Sequence, residues 1–292
     1  MEKEYEQLVF NPSYIRDILN SRALSLNRKF GQNFLVNREI AGRVLAYADL
    51  RKNDILLEIG PGIGTLTFSL AKRVKQVIAV EIDRGFSLWL TEKIDDLGKK
   101  NIKIISGDFL KLSPERITAH GTPEKLVSNF PYSVCLKAIV RCLEEYPFID
   151  EIVGTVQREI AQRAGALPGD KNYSAVSVLI QSLADVRVME KDISPHNFFP
   201  APEVTSVILR LTRSGGTLPF HRELFRRMVK ASFSNRRKSL ANNLCTMKGL
   251  SDKEAVREVV SAYFHDVNIR AEHLSVGEFT RLARAIEKLV AG

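Results

Sequence analysis

The stretch from Ile55 to Val74 limits what this chain can fold into more than any other. An apolar run, Ile55-Leu56-Leu57, leads into a glycine-rich turn, Glu58-Ile59-Gly60-Pro61-Gly62-Ile63-Gly64. An apolar amphipathic segment, Leu66 to Val74, leads out. That is strand, tight turn and helix, the opening βα unit of a doubly wound sheet. Glycines let the backbone approach a ligand closely, and a helix start offers free N–H groups. A βα turn with no ligand would carry the same residues, so the turn alone decides little. Its spacing does narrow the ligand. A dinucleotide fingerprint needs a third small residue at position 65, where the chain has Thr65.

The spacing Glu58-x-Gly60-x-Gly62-x-Gly64 resembles instead the cofactor loop of S-adenosylmethionine-dependent methyltransferases. The next two strands add chemistry. Gln76–Glu81 ends in a carboxylate, an acceptor suited to both hydroxyls of a ribose. Ile102–Ile105 runs into Ser106-Gly107-Asp108-Phe109, which places Asp108 to accept from an adenine amino group, with Phe109 or Ile82 beside the ring. Either acid alone is more often a cap or turn residue. Three successive strands ending in ligand-type groups favour binding. Further strands are expected at Lys125–Ser128, Glu151–Gln157, Val186–Lys191 and Ser206–Leu211. The expected class is therefore α/β, with a seven-stranded Rossmann-like methyltransferase sheet and a small all-helical C-terminal domain.

The length suits one large domain and one small one. We place the cofactor domain at 1–213, with 1–50 as a helical extension, and a helical domain at 214–292 after the Ser214-Gly215-Gly216 linker. Asn11 and Asn37 are expected to cap helices in the extension, and Ser251 and Ser275, each with Glu three residues on, to cap helices in the second domain. The loop from Gly165 to Tyr173 reads as mobile. The net charge is +9, and residues 214–292 hold 14 Lys/Arg against 8 Asp/Glu, so most of the excess lies in about a quarter of the chain. A basic domain beside a cofactor domain suits a polyanionic substrate, although solubility alone would also be served. No apolar run approaches a membrane span, and the acidic start suits neither a signal nor a transit peptide. Three cysteines without metal or redox spacing fit a reducing cytoplasm, and the five histidines form no metal pattern.

The most informative tetrapeptide is Asn129-Phe130-Pro131-Tyr132, at the end of the fourth strand. An adenine amino group is a poor nucleophile, because its lone pair is delocalised into the ring. Two acceptors that take its two hydrogens can hold that lone pair toward a methyl donor: the Asn129 side-chain carbonyl and the Phe130 backbone carbonyl. Pro131 stiffens the turn, and Tyr132 can stack on the base. The work is positioning and charge placement, with no strong base needed. An Asn-x-Pro turn without a ligand is the plainer alternative. Phe198, in the proline-rich loop after the sixth strand, could supply a second face of a base sandwich with Tyr132; Phe199 reads as a core plug. Arg28 and Lys29, followed by Phe30 and Phe34, could contact RNA or cover a sheet edge. Arg236, Arg237 and Lys238 read as the first turn of a helix capped by Asn235 or Ser234, where cations oppose the macrodipole unless phosphates lie nearby.

Taken in order, five motifs resemble the small-subunit ribosomal RNA adenine dimethyltransferase family. They are Phe30-Gly31-Gln32-Asn33-Phe34-Leu35, Glu58-Ile59-Gly60-Pro61-Gly62, Asn129-Phe130-Pro131-Tyr132, Phe198-x-Pro200-x-Pro202-x-Val204-x-Ser206 and Phe233-Ser234-x-Arg236-Arg237-Lys238-x-Leu240. The resemblance implies that Asn33, Leu35, Gly60, Glu81, Asp108 and Asn129 bind S-adenosylmethionine. It also implies that two adjacent adenosines near the 3′ end of small-subunit RNA each receive two methyls. The partner expected is that RNA within a pre-assembled small subunit, and the protein is expected to be a metal-free, cytoplasmic monomer. The family usually has Leu or Ile where this chain has Phe130, which leaves the packing behind the pocket as the open question. Two alternatives stand beside this reading: a large-subunit RNA methyltransferase that confers antibiotic resistance, and a non-catalytic RNA-binding assembly factor on the same scaffold.

Overall fold

The computed structural model describes residues 2–26, 30–214, 222–250 and 252–291. The chain divides into two compact units, one of 1–161 with 187–213 and one of 162–186 with 214–292. The first unit is built on two sheets. Phe34–Leu35 (β1) and Phe198–Phe199 (β8) form a short antiparallel ladder. The large sheet contains Ile55–Ile59 (β2), Gln76–Glu81 (β3), Ile102–Ser106 (β4), Lys125–Asn129 (β5), Glu151–Gln157 (β6), Ala184–Ile193 (β7) and Ser206–Arg213 (β9). Their order is β4-β3-β2-β5-β6-β9-β7. Strands β2 to β6 pair in parallel, and β9 runs antiparallel to β6. The expected seven-stranded α/β sheet is present.

Leu56 to Ile59 are all buried, as in a strand covered on both faces. The strand order reverses between β2 and β5, which makes the crevice outside their carboxyl ends the place for a ligand. The glycine turn follows β2 and the Asn129 tetrapeptide ends β5, so the topology brings both motifs to that one crevice.

Asn11 caps the helix Pro12–Ser21 through the Ser13 N–H at 2.9 Å, and Asn37 caps Arg38–Tyr47 through the N–H groups of Glu39 and Ile40. A further helix, Glu2–Leu8, was not foreseen. It buries Tyr5 against Phe68 and Trp89, and apolar side chains with almost no periodic signal would not reveal it.

Phe130 is buried, and its ring lies against Gly154 on the neighbouring strand. A Cβ at 154 would sit 2.1 Å from the Ser128 carbonyl oxygen and 2.8 Å from the Phe130 ring. The missing side chain at 154 thus makes room for the larger residue at 130, which answers the packing question. Gly154→Ala should destabilise the protein by about 1–3 kcal/mol, the usual range for overpacking. Chemical denaturation measures it; an unchanged midpoint would show that the Ser128 carbonyl and the Phe130 ring leave room for a Cβ at 154.

The second unit is helical, with Arg222–Ser232, Leu240–Leu244, Lys253–Phe264 and Val276–Ala291 packed around Phe225, Met228, Val260, Phe279 and Leu282. It differs from the expected domain in taking in 162–186 as well. The reason is burial. Val178 and Leu179 belong to the helical core, and Tyr173 is fully buried there, its hydroxyl donating to the Leu274 carbonyl at 2.7 Å. The loop expected to be mobile is pinned by this bond and by Gly169 N–H donating to the Glu272 carbonyl at 2.8 Å. Ser275 and Glu278 form the expected capping box. The helix Lys253–Phe264 is capped by Asp252 rather than Ser251, because the Asp252 carboxylate accepts from both Glu254 and Ala255 N–H. Ser251, Gly215 and Gly216 lie outside the described residues.

Candidate active site

The glycine turn is held against its neighbours on all sides. Gly60 has φ +68°, its N–H donates to the Val80 carbonyl at 2.8 Å, and a Cβ there would lie 2.5 Å from Pro131 Cγ. At Gly62, φ +55°, a Cβ would lie 2.5 Å from the Phe34 ring. Both the conformation and the space require glycine. From the other side, the Tyr5 hydroxyl donates to the Ile63 carbonyl at 2.6 Å.

Glu81 is buried at the end of β3. One carboxylate oxygen accepts from Gly62 N–H at 3.0 Å and the other from Asp83 N–H at 2.8 Å. These two donors do not offset its loss of water, and burial pushes its pKa up to about 7. Glu58 is more extreme. It is fully buried, burial pushes it up to about 8, and its Oε2 has no hydrogen-bond partner among the described residues. A buried carboxylate short of donors marks a place where a ligand with donors would fit. The sequence motif includes Glu58 but assigns it no role of its own; the signal for one is an acid inside an otherwise apolar strand.

Glu58, Glu81, Gly60, Gly62, Asn33 and Asn129 line one cleft. Asp108 lines an adjoining hollow of about 660 Å³ that shares Phe30, Gly60, Ile82 and Pro131 with it. One Asp108 oxygen accepts from Leu110 N–H at 2.9 Å, so this acid shapes its own turn as well as facing the hollow. Ile82 is exposed, while Phe109 is buried and stacks on Tyr146 at 5.4 Å, and both line the hollow beside Asp108. Arg141 steadies this loop by donating to the carbonyls of Phe109 and Leu112. Leu35 is fully buried in β1 and is absent from the lining, which Asn33 and Phe34 supply instead.

At the end of β5, Asn129 is clamped at two points. Its Nδ2 donates to the Asn33 carbonyl at 2.7 Å, and its Oδ1 accepts from the Thr155 hydroxyl. These partners fix which end of the amide is oxygen. The Phe130 carbonyl receives no hydrogen bond among the described residues. The segment 30–37 therefore belongs to the site. Gly31 packs on the backbone of Tyr132 and Ser133, where a Cβ would come within 2.6 Å.

Tyr132 lines a second hollow of about 1120 Å³, with Ser133, Gln157 and residues 200–204. Its hydroxyl bonds to Ser206. Phe198 does not form a parallel second face. The two rings meet edge to face at 6.4 Å and 66°, which leaves no slot between them, and Phe198 is only 3% exposed. It pairs with Leu35 and backs Tyr132, an arrangement that aromatic spacing alone does not reveal. Phe199 packs on the core as expected, with Arg16 over its ring.

Arg28 and Lys29 lie outside the described residues. Arg236, Arg237 and Lys238 are all exposed, but they form a turn and not the first turn of a helix. The helix starts at Leu240, capped by Ser239. Asn235 caps the turn instead, its Oδ1 accepting from Arg237 N–H at 3.0 Å, and buried Asn243 ties that turn to the Ser232 carbonyl. These charges therefore do not sit at a helix N-terminus and do not oppose a macrodipole there. Arg236 also donates to the Tyr173 carbonyl, so it has a structural partner. Changing all three to Gln should still weaken RNA binding and lower its salt slope, by up to roughly 0.9 per lost phosphate contact. Filter binding across a salt series measures this; an unchanged slope would leave the three as a solvated face.

No group of metal-ligating side chains occurs among the described residues, and no described helix is long and apolar enough to cross a membrane. The family model for ribosomal RNA adenine dimethylase matches residues 23–288. The ribosomal RNA small subunit methyltransferase A of Clostridioides difficile is 34% identical over 94% of this chain and 96% of its own length. That of Borreliella burgdorferi is 36% identical over 93% and 92%. Among solved structures, a dimethyladenosine transferase from Plasmodium falciparum matches with TM-score 0.74 and 22% identity over 87% of this chain and 97% of its own. The 23S ribosomal RNA methyltransferase ErmE matches with TM-score 0.62 and 28% identity, over 87% and 100%.

Proposed function

We propose, from the premise that this chain belongs to the ribosomal RNA adenine dimethylase family, that it is a small-subunit ribosomal RNA adenine dimethyltransferase. It acts on the exocyclic amines of two adjacent adenosines near the 3′ end of that RNA, giving N6,N6-dimethyladenosine during small-subunit maturation in the cytoplasm. The observation that carries the reading is the juxtaposition of Asn129 and Pro131 with the glycine turn in one cleft, at the reversal of strand order. Relatives named for the small subunit are 34% and 36% identical to this chain, against 28% for the 23S enzyme, so the large-subunit alternative is not favoured.

The methyl donor is S-adenosylmethionine, and the residues present fit it. Its ribose hydroxyls would supply the donors that buried Glu81 lacks, Asp108 faces the hollow suited to its adenine, and Asn33 and the glycines give it backbone to lie against. The buried, unpartnered Glu58 oxygen is a further acceptor in the same cleft. When bound, the cofactor supplies a methyl carried on a positively charged sulfur.

The chain's own residues do the rest. Asn129 Oδ1 and the Phe130 carbonyl accept the two amine hydrogens, which draws the nitrogen toward a pyramidal geometry and localises its lone pair on the side of the methyl donor. Tyr132 offers a stacking face to the base, which must leave its stack to reach them. Phe198 supports Tyr132 from the side. As the methyl arrives, the amine becomes acidic and its proton passes to water, so no basic side chain is required. Arg28, Lys29, Arg237 and Lys238 contact RNA phosphates, with Arg236 shaping the turn that carries two of them.

The test offers labelled S-adenosylmethionine with unmethylated small subunits and, separately, large subunits. Transfer to small subunits alone is expected. Transfer to large subunits alone, or cofactor binding with no transfer, would replace this reading with one of its alternatives.

A further inference from the structure

Asn129 must present one lone pair in a fixed direction, yet an amide side chain turns easily about its terminal torsion, where rotamer preferences are broad. A single bond from Nδ2 to the Asn33 carbonyl leaves the plane free to swing about that contact. The structure supplies a second anchor at the opposite end of the amide. Thr155 stands directly beside Asn129 in the parallel β5–β6 register, is 0% exposed, and donates its hydroxyl to Oδ1.

We propose that Thr155 is a positioning residue for the methyl transfer: its hydroxyl fixes the plane of the Asn129 amide and aims the remaining lone pair of Oδ1 at the target amine. The inference rests on the functional reading above. Three features carry it. A carbonyl oxygen has two lone pairs, so the bond from Thr155 leaves one for the substrate. A β-branched side chain in a strand has restricted χ1, which holds the hydroxyl in place without further partners. The Thr155 carbonyl also accepts from Phe130 N–H at 3.2 Å, so the same residue holds the Asn129–Phe130 peptide as well as the Asn129 amide. Thr155 touches no reacting atom. It acts through Asn129, and its contribution should appear in the transition state, where the direction of the lone pair matters, more than in binding.

The test compares wild type, Thr155→Val and Thr155→Ser with labelled S-adenosylmethionine and unmethylated small subunits. Valine keeps the shape and removes the hydroxyl; serine keeps the hydroxyl. We expect kcat of the valine variant to fall about tenfold, or about 1.4 kcal/mol, with KM for subunits and the thermal midpoint unchanged, and serine to restore most of the rate. If the valine variant does not fold, Thr155→Ala takes its place under the same criteria. A folded variant without the hydroxyl that keeps its kcat overturns the proposal. So does a loss shared by serine, or one that appears only in KM, since either reports packing. If wild type binds cofactor and transfers nothing to subunits, the functional reading fails first, and this inference fails with it.

Discussion

Asn129→Ala is expected to lower turnover by about 10²-fold or more, the scale seen when one positioned hydrogen-bonding group is removed from a transition state. Affinity for the RNA substrate should hardly move. The amine loses one of its two acceptors, so its lone pair returns toward conjugation with the ring. The loss exceeds that of an ordinary hydrogen bond because the contact is made mainly as the amine changes geometry. Alanine also releases the Asn33 carbonyl and the buried Thr155 hydroxyl from their partner, so some loss of cofactor affinity accompanies the effect. Single-turnover kinetics on unmethylated subunits separate the two. Turnover within about tenfold of wild type, about 1.4 kcal/mol, would contradict the amine-holding mechanism.

Glu81→Ala should weaken S-adenosylmethionine binding by about 1–3 kcal/mol, the range for removing a partner from buried polar groups. The substitution deprives Gly62 N–H of its acceptor at the turn, and the ribose of an acceptor for its hydroxyls. The raised pKa gives this prediction a pH signature. Because the folded value lies near 7 against an ordinary 4.5, Glu81 favours folding of the free protein below about 4.5 and loses that contribution as pH rises through about 7. Glu58 behaves alike, with its loss centred near 8. Hydroxyl donors favour the ionised form of Glu81. Cofactor affinity should therefore climb as pH rises toward about 7, and binding below that pH should release a proton. Calorimetry in buffers of different ionisation enthalpy reads both. A folded alanine variant with unchanged affinity, or wild-type binding that is flat from pH 5 to pH 7, would remove the ribose role.

Much of this was legible in the sequence because it is local. The glycine turn, the acid ending β3 and the tetrapeptide ending β5 are each short, and each sits where a strand of regular period stops. The helix caps at Asn11, Asn37 and Ser275 were legible for the same reason. What failed was non-local. The basic turn reads as a helix start, yet the helix begins only at Leu240 under the Ser239 cap, and Asn243 inside that helix reaches back to the carbonyls of Ser232 and Asn235 and holds the intervening residues as a turn. Phe198 was given a ligand face because nothing in its neighbours in sequence shows that it pairs with Leu35 and meets Tyr132 edge-on. The assignment of 162–186 depends on where Tyr173 and Leu179 find a core, which periodicity cannot say. Thr155 was seen only as a strand residue. Its role comes from register, the one property of a parallel pair that the sequence of either strand leaves open.

Methyl transfer to adenine amines of small-subunit RNA is the reaction this site is built for. It is tested most directly by incubating the protein with labelled S-adenosylmethionine and unmethylated small subunits, digesting the RNA and identifying the labelled nucleosides. Label is expected in N6,N6-dimethyladenosine, mapping to two adjacent adenosines near the 3′ end. Label confined to another base or another position on the ring, or no label while the cofactor binds, would contradict it.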